Sequence, residues 1–295
     1  MSIGTSQKSN PLREADWELD FYSRPILEPD GKKRWELLIS STPDPSGAKP
    51  FRWEKRCPAN EVNSIWLSNA LQEALDEAQR EGWDSPSKLR CWRSAMRTMV
   101  RKAASNIGLE VISSRRTYAL FEWINEREKD IYPKEEGYMS GPLAPGPNPI
   151  LNQPIPLPEA VRGDAWTIAS IPLGMMRDSQ EWPTEFSGLL PVGVHDDENF
   201  PVPGLRLFSK TRALALAGWL GSLEPFRLAI EGNQLLLEAG EDDRWLVTDL
   251  DSKGAKRAQQ SFISTREKAG GLQFISVQTT PEEKSFTGFW MLRDL

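Results

Sequence analysis

Between residues 88 and 118 the chain sets eight cations, Lys88, Arg90, Arg93, Arg97, Arg101, Lys102, Arg115 and Arg116, against one carboxylate, Glu110. Guanidinium groups take phosphate oxygens, and an aromatic plane stacks a nucleobase for roughly 1–3 kcal/mol per base. Trp92 and Tyr118 supply such planes within the same stretch. Arg93, Arg97 and Arg101 recur every fourth residue, which on a helix places them on one face. Like charges at that spacing cost an isolated helix about 0.2–0.5 kcal/mol per pair, so a ridge of this kind implies an anionic partner. The candidate nucleic-acid-binding residues are therefore Lys88, Arg90, Trp92, Arg93, Arg97, Arg101, Arg115, Arg116 and Tyr118. The plainer alternative is a solvated face neutralised by acids elsewhere, such as Glu73, Glu77 or Glu126.

Carboxylates offer an enzymatic alternative. Glu18, Asp20, Glu36 and Glu61 fall roughly where a two-metal nuclease of the ribonuclease H type presents its ligands. The acid such enzymes carry at the end of the fourth strand is missing, because KLRCWR runs straight into Ser94. Glu54 beside Lys55 is a weaker hint of nuclease chemistry. Cys57 and Cys91 form no CxxC pair, and with the lone His195, set in a polar loop, they make no zinc site. No phosphate-cradling GxxxxGK[ST] or GxGxxG pattern occurs. These residues predict a protein without catalytic residues, metal or cofactor.

The elements that must position the cations follow from periodicity. Residues 17–26 alternate as a strand, with Trp17, Leu19 and Phe21 on one side and Glu18, Asp20 and Tyr22 on the other. RWELLIS and FRWEKRC complete three antiparallel strands. A helix capped by Asn60 runs to about Glu81, KLRCWR is a short strand, and Ser94 caps a second helix ending at Gly108. LEVISS is a strand, and Ser113 or Ser114 caps a third helix. The order βββαβαβα predicts an α/β (α+β) chain whose first domain is ribonuclease H-like, a fold analogy that carries no function.

Residues 133–160, rich in Pro and Gly, read as a linker between a first domain over 16–132 and a second α+β domain over 161–295. The second domain is expected to hold strands at WTIASIPL, GLRLFS, RWLVTDL, LQFISVQ and FTGFWML, a hairpin turning at Gly232 and Asn233, and a helix over 255–268. Its tryptophans, including Trp219, Trp245 and Trp290, read as core or interface. Residues 1–132 carry 21 Lys and Arg against 20 Asp and Glu, while 133–295 carry 15 against 22, so the net charge of −6 belongs to the second half.

With 295 residues, 39% hydrophobic and 26% charged, and a mean hydropathy of −0.50, the composition is that of a soluble globular chain of two domains. The longest apolar run, ALALAGWL, is far below the roughly 20 residues of a membrane span, so no insertion is expected. Residues 1–15 are polar and read as a disordered terminus with neither secretory nor transit signal, which predicts a cytoplasmic protein.

WELDFYSRPI, WEKRCP followed by NEVNSIWL, SRRTYAL, RGDAW, AGWLGSLE, LLLEAGEDDRWL, AGGLQFISVQ and GFWMLR together resemble the cyanobacterial and chloroplast Tab (Atab) family of RNA-binding proteins, from about Asp16 to the C-terminus. The resemblance implies an A/U-rich single-stranded RNA-binding protein, associated with translation of the PsaB messenger and photosystem biogenesis. Without a plastid-type leader the chain looks like a cyanobacterial member. The family supplies no catalytic residue. A protein-binding photosystem assembly factor, whose basic face meets ribosomal or assembly proteins, is the alternative to RNA.

Overall fold

The computed structural model describes residues 13, 15–140, 152–193, 197–251 and 262–294. His195 and residues 252–261 of the expected 255–268 helix lie outside the described residues, as do residues 1–12 and 141–151.

The first half runs β1 (Trp17–Leu27), β2 (Lys33–Ser41), β3 (Arg52–Cys57), α1 (Ser64–Arg80), β4 (Lys88–Cys91), α2 (Arg97–Ser105), β5 (Glu110–Ser113) and α3 (Tyr118–Glu126). This is the element order read from the sequence. The strands form one sheet in the order β3-β2-β1-β4-β5, with β2 antiparallel to both neighbours and β1, β4 and β5 parallel.

Trp17, Leu19 and Phe21 meet the α1 and α2 face made by Leu67, Leu71, Ala74, Val100 and Ala103. The opposite face, which carries the polar side chains Glu18, Asp20 and Tyr22, is covered by α3, so Glu18 and Asp20 are both 0% exposed. A central strand packed on both sides has no solvent face to offer its polar residues.

Helix starts depart from the expected caps. Asn63, not Asn60, caps α1: its side-chain oxygen accepts from the Ile65 and Trp66 amides at 2.9 and 3.0 Å. A 3-10 turn, Ser94–Met96, precedes α2, so Ser94 does not cap it. Nor does Ser113 or Ser114 cap α3. Residues 114–117 instead cross to the second half, where the Arg115 amide donates to the Gly240 carbonyl at 2.8 Å.

The second half contains β6 (Ile155–Pro156), β7 (Ala165–Pro172), α4 (Leu173–Arg177), β8 (Phe186–Gly188), β9 (Pro201–Phe208), α5 (Ala213–Ser222), β10 (Pro225–Glu231), β11 (Gln234–Ala239), β12 (Asp243–Asp249), α6 (Ser264–Lys268), β13 (Leu272–Gln278) and β14 (Gly288–Arg293). They build two sheets, β10-β11-β12-β6 and β7-β9-β13-β14-β8. Between them lies a core of Leu205, Leu216, Leu228, Leu235, Ile275 and Trp290, into which α5 packs. Trp219 meets Trp245 edge-on at 5.3 Å within it.

Both described ends of the segment read as a linker are structural. Tyr132 is fully buried and the Met139 amide donates to the Pro25 carbonyl, while Ile155 and Pro156 extend a sheet beside β12 and Leu157 enters the core.

Candidate nucleic-acid interface

The nine candidate residues separate into a buried group and an outward-facing one. Period-two alternation on β4 turns Lys88 and Arg90 away from buried Leu89 and Cys91. Arg90 then grips Glu224 of the second half through Nε at 2.6 Å and Nη2 at 3.0 Å, and Asp16 through Nη1 at 2.9 Å. Burial works to raise the Glu224 carboxyl, but the hydrogen bonds and charge of Arg90 outweigh it and hold the group below its ordinary range.

Arg93 is not part of a helical ridge, because it stands in the turn before α2. It is buried, hydrogen-bonded to Asp20, and lies 4.0 Å over the Trp92 ring and 4.1 Å over Tyr22. Trp92 is therefore covered by a guanidinium on one face while it packs against the Leu38, Leu120 and Trp123 cluster. It offers no open stacking plane.

Arg115, Arg116 and Tyr118 are buried at the junction of the halves. Arg115 pairs with Glu238 at 3.3 Å and lies 4.5 Å over Phe226. Arg116 donates through Nη1 to the carbonyls of Pro225 and Met291, at 2.9 and 3.1 Å. Tyr118 donates its hydroxyl to the Phe226 carbonyl at 2.9 Å, and its ring sits in the second half's core. The SRRTY stretch is thus a clamp between halves, and its charges were read as surface because their partners lie over a hundred residues away.

Lys88, Arg97 and Arg101 remain outward-facing, with Lys102 beside them. Arg97 pairs with Glu241 at 2.7 Å, Arg101 reaches only the Ser113 hydroxyl at 3.3 Å, and Lys88 and Lys102 make no ion pair among the described residues. The acids expected to neutralise the face are occupied elsewhere: Glu73 by Lys55, Glu77 by Arg80 and Glu126 by Arg52.

The carboxylates of the nuclease alternative are tied to arginines. Asp20 meets Arg24 at 2.9 Å as well as Arg93, and Glu36 accepts from the Tyr132 hydroxyl at 2.7 Å with Arg24 and Arg127 each at 3.4 Å. Burial works to raise the Asp20 carboxyl, but the charges of Arg24 and Arg93 outweigh it and lower it. Glu61 stands exposed in the turn before α1. Among the described residues no three His, Cys, Asp or Glu side chains converge to hold a metal. Glu18 is different: burial pushes its carboxyl up to about 8, against a hydrogen bond from the Leu120 amide at 2.8 Å. Cys57 and Cys91 are free, buried thiols that burial pushes up to about 12.

A cleft of about 480 Å³ opens at the junction, lined by Lys88, Arg90, Arg116 and Asp16 from the first half and by Phe186, Gly188, Trp290 and Glu224 from the second, the two carboxylates being those that Arg90 holds. Three of the nine candidate residues therefore share a wall with Phe186 and with Trp290, which the sequence reading took as core or interface. The one sequence sign of it is glycine. Gly218 and Gly221, three apart on α5, leave that helix bare where it meets Phe186.

Comparison with known proteins finds relatives along both halves of the chain. The family described as RNA-binding protein Tab2/Atab2 N terminal matches residues 16–127, and the one described as RNA-binding protein Tab2/Atab2, C-terminal domain, matches residues 147–293. A chloroplastic TAB2 homologue of Arabidopsis thaliana is 31% identical over 301 residues, covering 97% of this chain and 77% of that protein. The chloroplastic TAB2 homologue of Zea mays is 31% identical over 297 residues, covering 97% and 73%. With both halves matched along nearly their full length, the chain belongs to the Tab2/Atab2 family of RNA-binding proteins.

Proposed function

We propose that this protein binds single-stranded, A/U-rich RNA in the cytoplasm and supports translation of photosystem subunits, as a binding protein rather than an enzyme. Membership of the RNA-binding family carries this reading. The geometry that supports it is the set of outward cations, Lys88 on β4 and Arg97, Arg101 and Lys102 on α2, of which only Arg97 has a carboxylate partner among the described residues. Outward cations without a carboxylate partner attract phosphates at little desolvation cost.

The test is fluorescence anisotropy of a labelled A/U-rich 20-mer at several salt concentrations. Four phosphates neutralised on a single strand give a slope of about −3 in log affinity against log salt. A G/C-rich 20-mer binding equally well would remove the A/U preference, and a flat salt response would remove the electrostatic reading. Partners that survive RNase in a pull-down would favour protein docking on the same face.

A further inference from the structure

Arg116 makes no ion pair among the described residues. Its Nη1 is spent on two backbone carbonyls, and Nε and Nη2 make no hydrogen bond among the described residues. The nearby Glu224 is already engaged by two nitrogens of Arg90 and by the Ser114 hydroxyl at 2.9 Å. Glu18, the other acid that feels Arg116, is held largely protonated at neutral pH by burial. A guanidinium only 8% exposed, with no ion pair, is costly unless an anion completes it.

The surroundings keep that guanidinium at the cleft. A Cβ at Gly188 would stand 2.8 Å from Arg116 Nη2 and 2.9 Å from Trp290 Cδ1, so only glycine lets the strand edge of β8 pass there. Phe186, half-buried, flanks the same space, and Lys88 reaches it from the opposite half with no carboxylate partner among the described residues. The volume falls within the roughly 300–1,000 Å³ of small-ligand sites. Two cations without a carboxylate partner and an aromatic ring lining one cleft match the phosphate and base of one nucleotide.

We propose that the cleft between the two halves takes one nucleotide of the bound RNA, its phosphate on Arg116 and Lys88 and its base against Phe186. This rests on the RNA-binding reading above. It predicts a contact neither half can make alone.

The experiment uses the full chain and an A/U-rich 20-mer carrying 4-thiouridine. Ultraviolet crosslinking with mass spectrometry should place an adduct on Phe186, Ser187 or Lys88. Anisotropy with Phe186→Ala should show affinity reduced by about 5- to 100-fold, the range of one lost base stack. Arg116→Gln should weaken binding at least as much, and Lys88→Ala, which removes no structural contact, guards against an Arg116 variant that fails to fold. Wild type that binds RNA while Phe186→Ala and Lys88→Ala bind equally well, with no adduct in the cleft, overturns the cleft and leaves the RNA reading standing. A folded wild type that binds no RNA overturns both. Uridine 5′-monophosphate binding in the cleft while RNA crosslinks elsewhere overturns the proposal in favour of a free mononucleotide site.

Discussion

At the scale of single residues, arginine in this chain does two jobs that composition does not separate. Arg93 neutralises Asp20 in a buried pair, whereas Arg101 reaches only a serine hydroxyl at the surface. Removing Arg93 leaves buried Asp20 with Arg24 as its other guanidinium partner and uncovers the rings of Trp92 and Tyr22 that Arg93 covers. Arg93→Ala should therefore lower the urea midpoint sharply while Arg101→Ala leaves it within error; equal effects would show that Arg93 is not anchored as described. Glu18 gives a pH prediction. Its carboxyl rises from 4.5 to about 8 on burial, so the folded state holds the proton more tightly than the unfolded chain. The stability this contributes is present below about pH 4.5 and is lost as pH rises through about 8. Glu18→Gln keeps an acceptor for the Leu120 amide and removes that loss. Its melting temperature at pH 8 should exceed that of wild type by at least about 2–4 °C, the shift one kcal/mol produces. A variant that melts lower across pH 5–9 would contradict a protonated Glu18. Little of this was legible beforehand: Arg90 and Glu224 stand 134 positions apart and Arg93 and Asp20 stand 73 apart, distances over which local pattern carries no information.

Among the elements, alternation and apolar spacing identified β1, β2, β3, α1 and β4 because each carries one apolar face that packs into the core. What they could not show is which second face is covered. The alternation set Glu18, Asp20 and Tyr22 on the second side of β1 without saying what lies over it, and α3 closes over it. Boundaries failed where the chain leaves its own half: Ser113 and Ser114 had the composition of a cap, but the short connecting segment that follows them is drawn to Gly240. Short strands such as β6 and β8 carry too few residues for any period to register. The cap of α1 separates the two candidate asparagines by experiment. Asn63→Ala should destabilise by about 0.5–2 kcal/mol, since two amide donors lose their acceptor, and Asn60→Ala should change nothing measurable by denaturant titration. The reverse ranking would move the helix start.

For the whole molecule, the two halves share Tyr118 in the second half's core, Arg116 on two of its carbonyls and Arg90 on Glu224. Contacts of that depth predict one cooperative unfolding transition by calorimetry, whereas two resolved transitions would mean the halves are joined only loosely. On the reading proposed above, RNA contact falls to the cations that face outward or line the cleft, since Arg115 is spent at this junction on Glu238 and Arg93 within its own half on Asp20. The most direct measurement is the salt dependence of A/U-rich 20-mer binding by wild type and by Lys88→Ala/Arg101→Ala/Lys102→Ala, with folding checked by circular dichroism. Three lost phosphate contacts should flatten the slope by about 2, from about 0.7 per contact, with affinity falling most at low salt. A folded triple variant with the wild-type slope would contradict the account and place RNA on another surface of the chain.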